Sequence, residues 1–201
     1  MLREETKGFG NITNKLKFEE KYKEYLRQYA LGLARVACLL IVILVPLFCI
    51  LDYCLYPAIF FKLALVRLAC IVIVLLLFLF TFTPQGKRYG SSVEMAAILV
   101  AALSISIMIR FVGGYNSPYY AGLNLLIIGV AVFVPWGVKE SIVTCLIIYA
   151  SYAIPIEVWD KIENPGILIN NNIFLLSTMT IAIMCTHFTS QARKREFKTL
   201  I

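Results

Sequence analysis

The sequence is poor in the residues from which most active sites are built. It contains a single histidine, His187, and none of its six cysteines belongs to a C-x-x-C pair. The H-E-x-x-H, phosphate-loop and G-x-S-x-G motifs are absent from it. Carboxylates inside the apolar segments are too few for a mechanism that needs a pair of them. We therefore expect no catalytic residue, no metal site and no cofactor within these residues.

Charge is also scarce, and it is unevenly distributed. Charged residues make up 15% of the chain, carry a net charge of +7 and lie mostly near the two ends, whereas 60% of all residues are hydrophobic. A soluble domain usually has roughly 45–50% apolar residues. Basic tails around such an apolar body are typical of a membrane protein, and no folded basic face is available for nucleic acid. The lipid bilayer is a predicted partner, and nucleic acid is not.

Six apolar windows of about 20 residues predict helices that cross a membrane. Turn-forming residues separate these windows, and the fourth and fifth windows are the shortest. The sequence therefore predicts an all-α, polytopic six-helix bundle, with residues 30–190 as a single transmembrane domain. The predicted spans are residues 30–51, 59–82, 93–112, 119–136, 141–158 and 171–190.

The positive charges predict how the bundle is oriented. If the N-terminus is cytoplasmic, most of the 19 lysine and arginine residues fall on the cytoplasmic side. Only Arg110 and Lys161 then fall outside, whereas Arg35, Lys62 and Arg67 lie within spans. This asymmetry follows the positive-inside rule. We predict a multi-pass protein of the cell membrane with both termini in the cytoplasm.

The two flanks of the predicted bundle carry helical patterns of their own. Residues 1–29 are predicted to form a cytoplasmic amphipathic segment, which is either an interfacial helix or a docking surface for a cytoplasmic partner or a second copy. Residues 191–201 continue the last span without a Gly or Pro stop, which predicts an exit helix toward a missing output domain. A basic stop-transfer tail would have a similar pattern. The stripe on the first flank consists of Phe18, Tyr22, Tyr25, Leu26 and Tyr29.

Arg67 is the most unusual residue of the predicted second span. At 1.5 Å per residue it would lie roughly 12 Å below the outer boundary. An arginine at such a depth costs about 3 kcal/mol on insertion scales. We therefore expect Arg67 to face the bundle and to have a partner. Lys62 lies about one turn deep, so its long side chain is predicted to reach outward, toward Asp52.

Several other polar side chains are predicted to share the outer half of the bundle with Arg67. Arg67 could hold helices together through hydrogen bonds to carbonyl groups and Asn124. It could instead bind the anionic or carbonyl group of an extracellular small molecule or a lipid-derived ligand, or lie on a proton or ion path. The predicted ligand-binding residues are Arg67, Asp52, Lys62, Tyr119, Asn124, Glu157 and Asn171.

Three stretches of the sequence also carry a family resemblance. They read LDYCLYPAIFFKLALVRL, SPYYAGLNLLIIGVAVFVPW and INNNIFLLSTMTIAIMCTHFTSQARKREF. Together they resemble the six-span N-terminal sensor modules of bacterial membrane-bound class III nucleotide cyclases, such as adenylate cyclases, and of hybrid histidine kinases of quorum sensing. The resemblance covers residues 25–201 and implies a homodimer in the inner membrane, whose last helix enters a coiled coil and an output domain. It rests mainly on Asp52, Pro57, Arg67, residues 119–124 and residues 195–197.

These features predict a transmembrane sensor and anchor module of a bacterial signalling protein. Binding near Arg67 is predicted to shift the last helix and so regulate an attached cyclase or kinase domain. Cyclase or kinase activity itself is not assigned to these residues. The alternatives are a small transporter or channel subunit and a passive dimerising anchor. The residues predicted to transmit the signal are His187, Arg195 and Phe197.

Overall fold

The computed structural model of the chain describes residues 2–133, 135 and 137–199. It is 91% helical, and the described residues contain no β-strand, which confirms the predicted all-α membrane bundle. The helices follow one another through short connections, two of which include a single 3₁₀ turn. Their bounds are Leu2–Leu55 (α1), Phe60–Phe80 (α2), Pro84–Arg88 (α3), Gly90–Phe111 (α4), Tyr120–Phe133 (α5), Val138–Trp159 (α6) and Pro165–Thr199 (α7).

Five of the six predicted spans are helices long and apolar enough to cross a membrane. They lie in α1, α2, α4, α6 and α7. The predicted fourth span is shorter than expected, since α5 has 14 residues and ends at Phe133. That length corresponds to about 21 Å, against a hydrocarbon core of about 30 Å. Pro135 follows closely and cannot donate a helical hydrogen bond, which is consistent with this early end. Val134 and Trp136 lie outside the described residues.

Helix α1 joins the predicted N-terminal amphipathic segment to the predicted first span. Its 54 residues run without interruption from Leu2 to Leu55, so the predicted boundary at residue 29 is not a helix boundary. No proline occurs in this helix before Pro46. The N-terminal segment is therefore a direct helical extension of the first span, and it projects beyond the bundle.

Helix α4 lies at the centre of the bundle and contacts both of its hydrophobic clusters. The larger cluster joins α4 to α5, α6 and α7 through residues such as Leu123, Ile148 and Leu175. The smaller cluster joins α4 to α1 and α2, and it includes Cys38 and Val74. Small residues at the α1–α4 contact allow a close approach. The outward faces are apolar, as a lipid environment requires.

The bundle has two ends, which we name by their buried carboxylates. The Asp52 end carries the connections at residues 56–59, 112–119 and 160–164. The Glu94 end carries the connection at residues 81–89 and the projecting ends of α1 and α7. Helix α7 is 35 residues long, which corresponds to about 52 Å. It therefore runs from one end of the bundle to the other and beyond.

Candidate functional site

A buried ion pair joins α1 and α2 at the Asp52 end. Asp52 lies in the last turn of α1 and is fully buried, and Arg67 is 4% exposed. Arg67 Nε donates to Asp52 Oδ2 at 2.5 Å, and Nη2 donates to Oδ1 at 2.9 Å. Such a two-point contact is the strongest geometry available to an arginine and a carboxylate. The partner that Arg67 was expected to need is therefore Asp52.

Tyr119 adds a third element to this pair. It immediately precedes α5, and its hydroxyl group donates a hydrogen bond to Asp52 Oδ1. The Arg67 guanidinium also lies 5.9 Å from the centre of the Tyr119 ring and 5.7 Å from that of Phe48. Both separations fall within the range of a cation–π contact. Phe48 was missed in the sequence, although it lies one turn before Asp52 and therefore on the same face of α1.

A cleft of about 400 Å³ extends from this polar cluster along the bundle. Its walls come from α1 and α5, and α2 and α4 contribute Cys70, Ala101 and Ile105. A Cβ added at Gly129, in the α5 wall, would meet no atom within 4 Å, so this position borders open space. Several apolar lining residues are 48–63% exposed, so the cleft opens on the surface that faces lipid. These residues are Leu51, Leu55, Leu125, Ile128 and Val132.

The other predicted ligand-binding residues do not join the polar cluster. Lys62 and Glu157 are exposed. Among the described residues, Asp52 accepts hydrogen bonds from Arg67 and Tyr119, and Lys62 forms neither a hydrogen bond nor a salt bridge with it. The side-chain oxygen of Asn124 is buried, but it accepts no hydrogen bond from the residues that the structure describes. Asn124 therefore does not hydrogen-bond to Arg67.

Asn171 belongs to a neighbouring polar cluster at the same end of the bundle. It is 3% exposed, and its Nδ2 donates to the carbonyl oxygen of Tyr115 at 2.9 Å. The Tyr115 hydroxyl in turn accepts hydrogen bonds from the backbone N–H groups of Asn164 and Glu163. These hydrogen bonds lower the pKa of Tyr115. The cluster ties the start of α7 to the connection that precedes α5.

At the opposite end of α7, Phe197 packs against the N-terminal extension of α1. Its ring centre lies 5.5 Å from that of Phe18, 5.2 Å from that of Tyr22 and 5.0 Å from that of Tyr25. We call these four residues the aromatic clasp. A salt bridge of 3.2 Å between Lys194 and Glu19 flanks it. The predicted aromatic stripe is thus a docking surface, but its partner is α7 of the same chain.

The two other residues predicted to transmit a signal lie outside the clasp. His187 and Arg195 are exposed. A hydrogen bond of 2.8 Å joins His187 Nε2 to Gln191, one turn further along α7. Both residues thus point away from the buried stripe of α7, to which Phe197 belongs.

Glu94 is a buried carboxylate to which the sequence analysis assigned no role. It lies one turn into α4 and is fully buried. Among the described residues, neither of its carboxylate oxygens has a hydrogen-bond partner. The sequence does contain a feature that singles out Glu94, because it is the only acidic residue of α4. Among all residues that the structure describes, no group of three or more His, Cys, Asp or Glu side chains is arranged to hold a metal ion.

Comparison with known proteins identifies one family. Residues 50–199 match the model of the MASE8 family, and this range includes Asp52, Arg67, Tyr119 and all of α7. The matched range covers most of the chain. No curated protein and no solved structure matches the sequence.

Proposed function

We propose, since this chain belongs to the MASE8 family of membrane-associated sensory domains, that it is the receptor module of a signalling protein. A small-molecule or lipid-derived ligand binds in the cleft below Asp52 and Arg67, and α7 passes the change to an attached output domain such as a cyclase or kinase. The observation that carries the proposal is the cleft itself, which combines an apolar interior, a single polar end and an opening toward lipid.

The ion pair restricts the chemistry of the ligand. Asp52 takes two of the five guanidinium N–H groups of Arg67. An anionic ligand at Arg67 would bring a second negative charge beside a fully buried carboxylate, which is unfavourable. An uncharged carbonyl or hydroxyl group avoids this repulsion and can use the remaining donors. Of the two predicted ligand chemistries, the structure favours the carbonyl group over the anion.

The packing supports a route from the cleft to α7. One side of α5 lines the cleft through Gly122 and Leu125. Helix α7 packs mainly against α5 and α6. Its buried residues form one stripe from Asn171 through Leu175 to Phe197. A ligand that binds one arrangement of α5 more tightly than another would therefore bias the position of α7 as well.

The binding half of the proposal can be tested with an uncharged photoreactive alkanol. The full chain is reconstituted in lipid nanodiscs, labelled with 3-azioctanol and digested for mass spectrometry. Gly129→Phe places a ring in the open space of the cleft and is expected to reduce labelling of the cleft-lining peptides about tenfold. Gly32→Phe is the matched control, since a Cβ at Gly32 also meets no atom within 4 Å but lies outside the cleft. Equal labelling of both variants would contradict the proposal.

The remaining parts of the proposal have separate tests. Proteoliposomes should show no solute flux that depends on Arg67, whereas such flux would indicate the transporter or channel alternative. We further propose a homodimer in a bacterial inner membrane, with both termini cytoplasmic. The resemblance noted above and the charge asymmetry support these two statements. Native mass spectrometry of the chain in nanodiscs measures the oligomeric state directly.

A further inference from the structure

A carboxyl group and a guanidinium group with unmade hydrogen bonds are buried on different helices at the Glu94 end. Glu94 on α4 is fully buried, and Arg193 on α7 is 8% exposed. Among the described residues, neither carboxylate oxygen of Glu94 has a hydrogen-bond partner, and Nε and Nη1 of Arg193 lack one as well. A buried charge without a partner is costly, and a buried polar group that lacks a hydrogen bond in a native structure requires an explanation.

The two side chains lie in the same region but are held apart. Gly90, one turn before Glu94, packs against the backbone of Leu31 on α1. Arg193 meets the same helix two residues earlier, where its guanidinium carbon lies 5.7 Å from the centre of the Tyr29 ring. Arg193 thus contacts an aromatic ring, whereas the Glu94 carboxyl group, which could pair with it, has no hydrogen-bond partner among the described residues.

The position of Arg193 is coupled to that of the aromatic clasp. Arg193 and Phe197 are one turn apart and both belong to the buried stripe of α7. Residues four apart lie on one face of a helix, so a rotation or shift of α7 moves both side chains together. Any motion of α7 that brings Arg193 to Glu94 therefore changes the contacts of Phe197 with Phe18, Tyr22 and Tyr25.

We propose that α7 switches between two positions and that Glu94 and Arg193 form an ion pair in only one of them. In the clasped position described here, Phe197 packs in the aromatic clasp and Arg193 lies over Tyr29. In the released position, α7 has moved, Arg193 is paired with Glu94 and Phe197 has left the clasp. Each position satisfies one set of contacts at the expense of the other, which is the requirement for a bistable element. The switch concerns how α7 moves, and it does not depend on what binds in the cleft.

The two positions can be distinguished by fluorine NMR of the full chain in nanodiscs. Site-specific 3-fluorotyrosine at Tyr25 reports on the neighbouring Phe197 ring, so the clasped and released positions give separate signals. Tyr29→Leu removes the ring that holds Arg193 and is expected to increase the released signal. Adding Glu94→Gln to this variant should decrease the released signal about tenfold, as expected when one charged hydrogen bond is lost. Arg193→Gln should act in the same way from the other partner.

Matched controls separate the ion pair from general effects of charge. Glu140→Gln and Lys139→Gln remove exposed charges at the same end of the bundle and should leave the released signal unchanged. Glu94→Gln combined with Arg193→Gln should have no larger effect than either change alone, because both remove the same contact. The proposal is overturned if Tyr29→Leu produces no released signal. It is equally overturned if that signal does not depend on Glu94, since Glu94 would then be only a structural residue.

Discussion

Asp52 neutralises the guanidinium group of Arg67, which is buried at the Asp52 end of the bundle. Its carboxylate is fully buried and accepts hydrogen bonds from Arg67 and Tyr119. Breaking a buried ion pair from one side leaves an uncompensated charge, whereas replacing both partners with apolar residues can be nearly neutral. The energetic role of the pair therefore shows only when single and double variants are compared.

We expect Asp52→Leu to lower the free energy of unfolding by about 3–5 kcal/mol, because Arg67 remains buried without a partner. The double variant Asp52→Leu with Arg67→Met should lose markedly less. Glu157→Leu, which removes an exposed carboxylate, should change stability by no more than about 0.5 kcal/mol. Denaturant titration in detergent micelles measures all three. A double variant that loses as much stability as Asp52→Leu alone, or more, would disprove the pairing.

At the scale of elements, the connection between α4 and α5 contains a left-handed backbone geometry that favours glycine. Gly113 has a φ of 95°. A Cβ there would meet no atom within 4 Å, so any cost of substitution comes from the backbone alone. This turn positions Tyr115, and through it the start of α7, so its geometry bears on how the bundle is assembled.

Gly113→Ala is expected to lower the free energy of unfolding by about 1–2 kcal/mol, since a left-handed conformation is strained for a residue with a Cβ. Gly32→Ala, in the middle of α1, should have the opposite sign and add about 0.5–1 kcal/mol. Both positions are free of side-chain clashes. The same denaturant titration compares them, and equal effects at the two sites would contradict this assignment.

The aromatic clasp is expected to stabilise the last turns of α7. Phe197→Ala removes its contacts with three aromatic rings of α1. We expect amide hydrogen exchange in residues 190–199 to accelerate roughly tenfold or more, because local opening costs less free energy. Phe188→Ala, which truncates a side chain that is 62% exposed on the same helix, serves as control. No difference between the two variants would show that the clasp does not hold α7.

At the scale of the whole molecule, the charge asymmetry predicts the orientation in the membrane. Lys161 lies at the Asp52 end and Lys139 lies near the Glu94 end, and both side chains are exposed. The positive-inside rule predicts that the Asp52 end faces outward. The cleft would then have its polar end near the outer surface, while the projecting ends of α1 and α7 lie in the cytoplasm.

We expect Lys161→Cys to react with a membrane-impermeant maleimide on intact cells, whereas Lys139→Cys should react only after the cells are opened. The native cysteines are replaced beforehand so that each variant carries one reactive thiol. Labelling of Lys161→Cys only from the cytoplasmic side would reverse the orientation. The two cysteine variants act as controls for each other, because labelling of one shows that the reagent and the detection also work for the other.

The sequence by itself determined the class of the protein and the need for a partner at Arg67. Hydrocarbon offers no hydrogen bonds to the backbone, so long apolar segments must become helices whatever their neighbours are. The cost of a buried guanidinium group likewise depends only on depth. These are local properties of the chain, and an analysis of windows and single residues is sufficient to find them.

Only the tertiary structure decided which residues meet. The choice of Asp52 and Tyr119 rather than Lys62 or Asn124, the aromatic clasp within one chain, and the unpaired Glu94 and Arg193 all depend on which faces the helices turn toward one another. Helical periodicity states which residues share a face, but not which faces pack together, because a lipid-exposed face and a buried face can be equally apolar. Those pairings, and the cleft that they leave open, follow from packing alone.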